Sequence, residues 1–507
     1  MSGYTQTLRA LPLPVRSAVA VNRSAAVLLP SFGVVVFAVT LLEVLFLSQG
    51  AQALFRDSDT GWHIRNGESM LQEFRLPRVD TFSYTRNGQE WFAWEWLPDV
   101  AFGAVHRLAG LAGVAALAAI VIASMAWGVA RLALSLGANL FLTAGAIIVL
   151  LGTTSIHWLA RPHVFSWLFA LIFVAVAEQE RRCRSRALYL LPALACLWAN
   201  THGSFFLGPV ILLTYSAGEW IKGQSGLRLS SVALLSLVAT FVNPYGWHLH
   251  DHVLTYLQND YLMDRISEFR SFSFHAPGAY YVEVFLFGAI VGVLALLRQR
   301  SYGAALLGVL VLHMSLYSAR HFPTAAVLLL APVAAALTRE ARAHPRLVPL
   351  LNYSDRLCAM DRRIYGIVPI IVVLLASAGG LAVLARDGAV DFNPEMFPVR
   401  AAKFLEQSAL KARVFSKDQW GGYLIYRFAG NTKVFIDGRS DFYGQQFLET
   451  YAEVADVKPG WQRVLQQYDV GVVLIPKDHA LVSVLQLSPE WKRVYSDSVA
   501  SIFERVG

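Results

Sequence analysis

Charge is what this sequence has least of. Its 507 residues include 43 Lys and Arg and 35 Asp and Glu, so 15% are charged, where soluble globular chains carry roughly 25%. The deficit argues against a water-soluble protein, whose surface needs more charge than this. Three widespread chemical signatures are also missing: a glycine-rich phosphate loop, the dinucleotide-binding glycine fingerprint and the His-Glu-x-x-His zinc motif. Their absence removes the usual motif grounds for a nucleotide hydrolase, a Rossmann dehydrogenase or a zinc protease. Cysteine is scarce: Cys183, Cys196 and Cys358 do not suggest a disulfide framework. Internal repeats, low-complexity tracts and coiled-coil heptads are lacking as well. The first twenty-odd residues carry Arg9, Arg16 and Arg23 without a compact apolar core and small-residue cleavage site. The first apolar run is therefore expected to stay as a signal anchor.

What is present is apolar. Hydrophobic residues make up 55% of the chain and fall in runs of about 20, the length that crosses a hydrocarbon core of about 30 Å. The pattern predicts a polytopic helical membrane protein with about eleven spans, near 27–49, 112–134, 139–156, 163–179, 187–200, 204–221, 229–243, 281–297, 303–318, 323–338 and 365–385. The formal net charge of +8 is not a nucleic-acid signal, because Lys and Arg sit mainly between the apolar runs. The basic groups fall before span one, after span four (Arg181, Arg182, Arg184, Arg186), between spans six and seven (Lys222, Arg228), after span eight (Arg298, Arg300) and between spans ten and eleven (Arg339, Arg342, Arg346, Arg356, Arg362, Arg363). An internal N-terminus puts every group on the cytoplasmic side, as the positive-inside rule requires. The expected organisation is a cytoplasmic segment 1–26, a transmembrane domain 27–391 with a large external loop 50–111, and an external domain 392–507.

The two external regions differ in character. Loop 50–111 is rich in aromatic residues suited to the headgroup zone, with interfacial helices expected at 66–75 and 95–108. Region 392–507 alternates short apolar strands with amphipathic stretches. Strands are expected at Arg413–Ser416, Lys433–Asp437, Val470–Pro476, Trp491–Ser496 and Val499–Glu504. Helices are expected at Pro398–Leu410, Gln445–Ala455 and Trp461–Gln467. This predicts a small α/β domain.

Five polar clusters fall on the side opposite the basic loops. The first is Asp57-Ser-Asp59-Thr-Gly-Trp-His63-Ile-Arg65. The others are His157-Trp-Leu-Ala-Arg161-Pro-His163, Asn200-Thr-His202-Gly203, Asn243-Pro-Tyr-Gly-Trp-His248-Leu-His250-Asp251 and Tyr317-Ser-Ala-Arg320-His321. Each has a structural alternative: histidines as hydrogen-bonded helix ends, Gly203 and Gly246 as turn formers, Asp57 and Asp59 as a helix cap. Together they resemble the walls of one cavity, since ionisable groups at such depth need partners or water. A carboxylate there can act as a general base, and guanidinium groups make bidentate contacts to phosphate. Those two capacities suit transfer of a sugar from a polyprenyl-phosphate carrier. Two carboxylates two residues apart can also bind Mg or Mn beside phosphate oxygens.

The Asp57–Arg65 segment, followed by Leu76-Pro77-Arg78-Val79-Asp80-Thr-Phe-Ser-Tyr84, resembles the first external loop of GT-C fold glycosyltransferases. It is most similar to the oligosaccharyltransferase branch, whose loop reads Asp-Pro-Tyr-Tyr-His-Leu-Arg. The chain also resembles a group of uncharacterised bacterial membrane proteins sharing Asp-x-Asp-x-x-x-His-x-Arg, Arg-Pro-His, Asn-x-His-Gly and Trp-Gly-Gly-Tyr-Leu. The resemblance implies Asp59 as the base with Asp57 in support. It implies a multi-pass protein of the bacterial inner membrane whose partners are membrane lipid, a polyprenyl-phosphate-linked sugar and an unknown acceptor. His63, Arg65, Arg161, His163, His202, Arg320 and His321 are expected to bind substrate. Two departures stand out. The connection between spans three and four carries His157, Arg161 and His163 where the oligosaccharyltransferases have an acidic motif that completes a metal site. The peptide-reading Trp-Trp-Asp-Tyr-Gly motif is only echoed by Asp418-Gln-Trp420-Gly-Gly-Tyr423. No required cofactor is therefore expected. Asp437-Gly-Arg439-Ser-Asp441 reads equally as a substrate contact or a solvated turn. A transporter or flippase of a lipid-linked or anionic substrate, and a non-catalytic envelope assembly protein, stay open as rival functions.

Overall fold

The computed structural model describes residues 23–408, 410 and 412–506; Arg9 and Arg16 lie outside the described residues. Among the described residues, eight helices are long and apolar enough to cross a membrane: Ala26–Phe46, Trp96–Ser135, Leu140–His157, His163–Arg182, Gly203–Ile221, Ala279–Arg298, His321–Ala341 and Ile367–Arg386. Shorter apolar helices at Arg186–Ala199, Leu227–Ala239 and Tyr302–Tyr317 fall where three further spans are expected. The chain is a multi-pass helical membrane protein with a small C-terminal sheet.

Local chemistry sets several helix ends. Ser31 caps the helix Phe32–Phe46, its side chain accepting from the Val34 amide. Asn139 caps Leu140–Thr154 by accepting from Phe141 and Leu142. The long helix Trp96–Ser135 is broken at Ala109–Gly110, where Gly110 takes φ 59° and ψ −151°. Only glycine adopts that conformation cheaply, so residues 96–108 form a separate helix before the span, as the sequence predicts. Its partner is longer than expected. The predicted 66–75 helix begins instead at Asp59 and runs to Glu73, so the whole Asp59–Arg65 stretch is helical. Gly67 and Gly103 let the two helices touch backbone to backbone. A Cβ on Gly67 would stand 1.7 Å from the Asp99 carbonyl oxygen.

The basic loops meet at one end of the bundle. Arg182 donates to the Ser135 carbonyl at 2.9 Å, and Asn139 N donates to Thr338 Oγ1 and Leu140 N to Ser354 Oγ, each at 2.8 Å. Arg228 pairs with Glu180 at 2.8 Å and Arg342 with Asp355 at 2.8 Å.

At the opposite end sits a four-stranded sheet of order β1-β2-β4-β3, with β1 Arg413–Ser416, β2 Val470–Pro476, β3 Trp491–Ser496 and β4 Ala500–Arg505. β1 and β2 run parallel, and β4 is antiparallel to both its neighbours. Helices Val399–Gln407, Ser440–Ala455, Trp461–Gln467 and Ala480–Leu487 pack around it. Residues Lys433–Asp437 do not form a strand of this sheet, contrary to expectation. Val434 makes isolated bridges to Ser83 and Val414, and its backbone exchanges hydrogen bonds of 3.0 Å with Phe82 and Tyr84. The segment is extended because it pairs with the first loop, not because it belongs to the ladder.

Candidate functional site

The helix that carries the first polar cluster starts under the C-terminal region. Asp57 Oδ1 accepts from the Asp59 amide at 2.9 Å, a cap-like contact at the first turn. Asp418–Phe428 is a helix. It crosses the Asp59 helix closely. A Cβ on Gly61 would lie 2.3 Å from the Gly422 carbonyl, and one on Gly422 would lie 2.3 Å from that of Ser58. Gly438 approaches from the same region, next to the Asp59 carboxylate.

Arg161 is the hub. Its guanidinium lies 2.6 Å from Asp57 Oδ2, 3.1 Å from Asp59 Oδ2 and 3.6 Å from Glu268 Oε1. The loop carrying it is held by Thr60 Oγ1 donating to the Ala160 carbonyl and by Ala160 N donating to Leu54. Glu268 also faces His157 Nε2 at 3.4 Å. His163 donates from Nε2 to the His157 carbonyl at 2.9 Å, and its ring lies 6.5 Å from that of His202. Together with Pro162, Arg320 and Glu95, these side chains enclose a cavity of about 20 Å3, room for about one water.

Electrostatics tune the acids differently. Burial first, then the neighbouring Asp57, push the Asp59 carboxyl up to about 8 against the pull of Arg161. Burial lifts Glu95 to about 7, with His63 and Arg161 opposing. Burial would raise Glu268 too, but its hydrogen bond to His157 and the Arg161 charge hold it well below the usual carboxylate range. Burial, with Arg320 and Arg161 nearby, holds the His202 imidazole well below its ordinary value and therefore neutral.

Of the residues expected at the site, the structure gathers Asp57, Asp59, Arg161, His163, His202 and Arg320 about this cavity. Arg320 lies over the Phe269 ring at 4.5 Å, and its amide donates to the Glu268 carbonyl. His63 sits behind the cavity wall, fully buried and stacked on Trp62. Arg65 points elsewhere, donating twice to the Tyr426 carbonyl and pairing with Glu68 at 2.6 Å. His321 opens its helix outside the cavity lining. Sequence reasoning missed Glu95, Asp99 and Glu268. Glu95 stood out as a lone acid between Trp94 and Trp96. Glu268 gave no signal, lying in a stretch between spans without periodicity.

Asp437-Gly-Arg439-Ser-Asp441 is not a solvated turn. Arg439 is 2% exposed and bonds Asp80 and Asp437, each at 2.7 Å. Aromatic faces of Trp91, Phe442 and Phe82 lie 4.7, 5.0 and 5.2 Å from its guanidinium carbon. Asp80 is anchored in turn by the Ser83 amide and hydroxyl. This buried cage ties the C-terminal region to the first loop.

The donor set does not fit a divalent cation between Asp57 and Asp59, because the Arg161 guanidinium already bridges them. Among the described residues no group of three or more His, Cys, Asp or Glu side chains is placed to hold one.

No family model matches the chain, and no curated protein matches it. Solved structures do. The oligosaccharyltransferase of Archaeoglobus fulgidus, tethered to an acceptor peptide, superposes with a TM-score of 0.57 at 11% identity, covering 88% of this chain and 68% of its own. The same enzyme, AglB, with an inhibitory peptide and a dolichol-phosphate gives 0.54 at 11% identity, covering 88% and 69%. ArnT from Cupriavidus metallidurans bound to undecaprenyl phosphate gives 0.51 at 13% identity, covering 93% and 98%. The chain has the GT-C fold of these glycosyltransferases.

Proposed function

We propose that this chain is a GT-C-type glycosyltransferase that moves a sugar from a polyprenyl-phosphate-linked donor to an acceptor on the external face of a bacterial inner membrane. The observation that carries the reading is the junction of Asp59 and Arg161: a carboxylate able to take a proton, 3.1 Å from a cation suited to phosphate, beside a small cavity. Neighbours of the same fold were captured with dolichol-phosphate and undecaprenyl phosphate, which supports the same class of carrier here. In this reading residues 1–26 are cytoplasmic, 27–391 cross the membrane and 392–507 form the external domain.

Asp59 takes the acceptor hydroxyl proton as the oxygen attacks the sugar carbon. Asp57 shares Arg161 with it and keeps the guanidinium in place. Arg161, His163, His202 and Arg320 receive the departing phosphate. Glu268, ionised and paired with Arg161 and His157, positions the guanidinium rather than the proton. No metal ion takes part, since Arg161 fills the position one would need. Membranes carrying the wild-type chain, incubated with radiolabelled polyprenyl-phosphate sugars, should transfer label, and the Asp59→Asn chain should accumulate normally yet transfer none. Full transfer by Asp59→Asn sinks the assignment of the base.

A further inference from the structure

A buried line of acid and imidazole runs from the helix pair to the cavity. Asp99 is fully buried; its Oδ2 accepts from Asn66 Nδ2 at 2.6 Å, its Oδ1 lies 2.5 Å from His63 Nδ1, and we assign the proton of that contact to the imidazole. With Nδ1–H given to Asp99, the other nitrogen of neutral His63 carries a lone pair. That nitrogen, Nε2, is buried without a hydrogen-bond partner and faces Glu95 Oε2 at 3.8 Å. On its other side Glu95 Oε1 lies 3.6 Å from His202 Nε2. His202 accepts the Ser204 amide on Nδ1, so its proton is on Nε2 and points at Glu95. Glu95 thus meets one N–H and one lone pair. At 3.8 and 3.6 Å neither contact is yet a hydrogen bond; a neutral carboxyl that closes these gaps satisfies both groups, its carbonyl oxygen accepting from His202 and its hydroxyl donating to His63. A carboxylate satisfies only the first.

We propose that Asp99 and His63 hold Glu95 in its neutral form, and that Glu95, which lines the cavity, donates its proton to the phosphate as it leaves the sugar. The inference rests on the transferase reading above. An ionised Glu95 beside Arg161, His202 and Arg320 would repel a phosphate from the place those residues offer it. The charged and titratable groups facing Glu95 are His63, His202, Arg161, Asp99 and Asp441, with Arg320, His157, His163 and Glu268 lining the same cavity. Burial lifts the Glu95 carboxyl to about 7, so a substantial share of molecules keeps this proton near neutral pH. Its side chain keeps 24% exposure and is reachable from the cavity. The step balances. The bond from the sugar carbon to the phosphate oxygen breaks with its electron pair staying on oxygen. That oxygen takes the Glu95 proton while the acceptor oxygen forms the new bond and gives its proton to Asp59. The lipid leaves as a protonated phosphate monoester, and Glu95 is reprotonated from water. His63 and Asp99 are positioning residues that hold Glu95 in its neutral form.

The test is binding of farnesyl methyl phosphodiester, whose single charge is constant from pH 5 to 9, to the purified full-length protein. Wild-type affinity should be flat below about pH 7 and fall several-fold between pH 7 and 8, whereas Glu95→Gln should stay flat until Asp59 ionises near pH 8. Equal slopes in the two proteins between pH 7 and 8 overturn the role of Glu95 and leave the transferase reading intact. No binding by either protein at any pH overturns both. Should Glu95→Gln not fold, calorimetry of the wild-type protein at pH 8 in buffers of different ionisation enthalpy counts the protons taken up with the ligand. Close to one is expected, and none refutes the proposal.

Discussion

A methyl group on Gly438 would stand 1.9 Å from Oδ1 of Asp59. The main chain of the C-terminal region therefore forms part of the wall around the proposed base, and Asp437 beside it helps raise the Asp59 carboxyl. The first loop and the C-terminal domain build one site together.

Gly438→Ala should abolish most transfer without unfolding the protein. The added Cβ must push the Asp59 carboxylate off Arg161, and misplacing a reacting group by about 1 Å costs on the order of 100-fold. Transfer rates in membranes, with expression measured alongside, decide it; wild-type rates would mean that Asp59 is not held where transfer needs it.

The pH profile of kcat/KM should be a narrow bell centred between 7 and 8. Asp59 must lose its proton, which favours rate as pH rises toward about 8. Glu95 must keep its own, which lowers rate above about 7. The residual activity of Glu95→Gln should lose the alkaline limb and keep the acid one.

Arg439→Met should loosen the C-terminal region from the loop. It strands Asp80 and Asp437 as buried charges, and breaking such a pair costs about 3–5 kcal/mol. A lowered thermal midpoint in detergent and faster proteolysis around residues 392–506 are the readouts.

Chelation by EDTA should leave initial transfer rates unchanged, because the Arg161 guanidinium already occupies the place between Asp57 and Asp59. Arg161→Lys should cost far more, since an ammonium cannot bridge two carboxylates in the same plane.

Much of the architecture was legible from the order of residues. Apolar runs of spanning length located the helices. The strands at Arg413–Ser416 and Val470–Pro476 were readable as short stretches of apolar residues, and Trp491–Ser496 by its aromatic and β-branched residues Trp491, Val494 and Tyr495. Lys433–Asp437 misled because its hydrogen-bond partners, Phe82 and Tyr84, are remote in sequence. The glycine pairs Gly61 with Gly422 and Gly67 with Gly103 acquire meaning only when two helices touch. The Asp57–Arg65 cluster advertised a site, yet Arg65 serves the Tyr426 carbonyl. The acid absent from the span three to four connection comes instead from Glu268, across the fold.

The Arg439 cage has a consequence for how the protein is made. Asp59 and Asp80 leave the ribosome early, while Asp437, Gly438 and Arg439 follow only near the end of the chain. At roughly 5–20 residues per second, the first loop waits tens of seconds, its Asp80 unpaired, before its partners arrive. A nascent or prematurely stopped chain is thus inserted without the wall around Asp59, and on the proposed reading it should be inert until synthesis is finished.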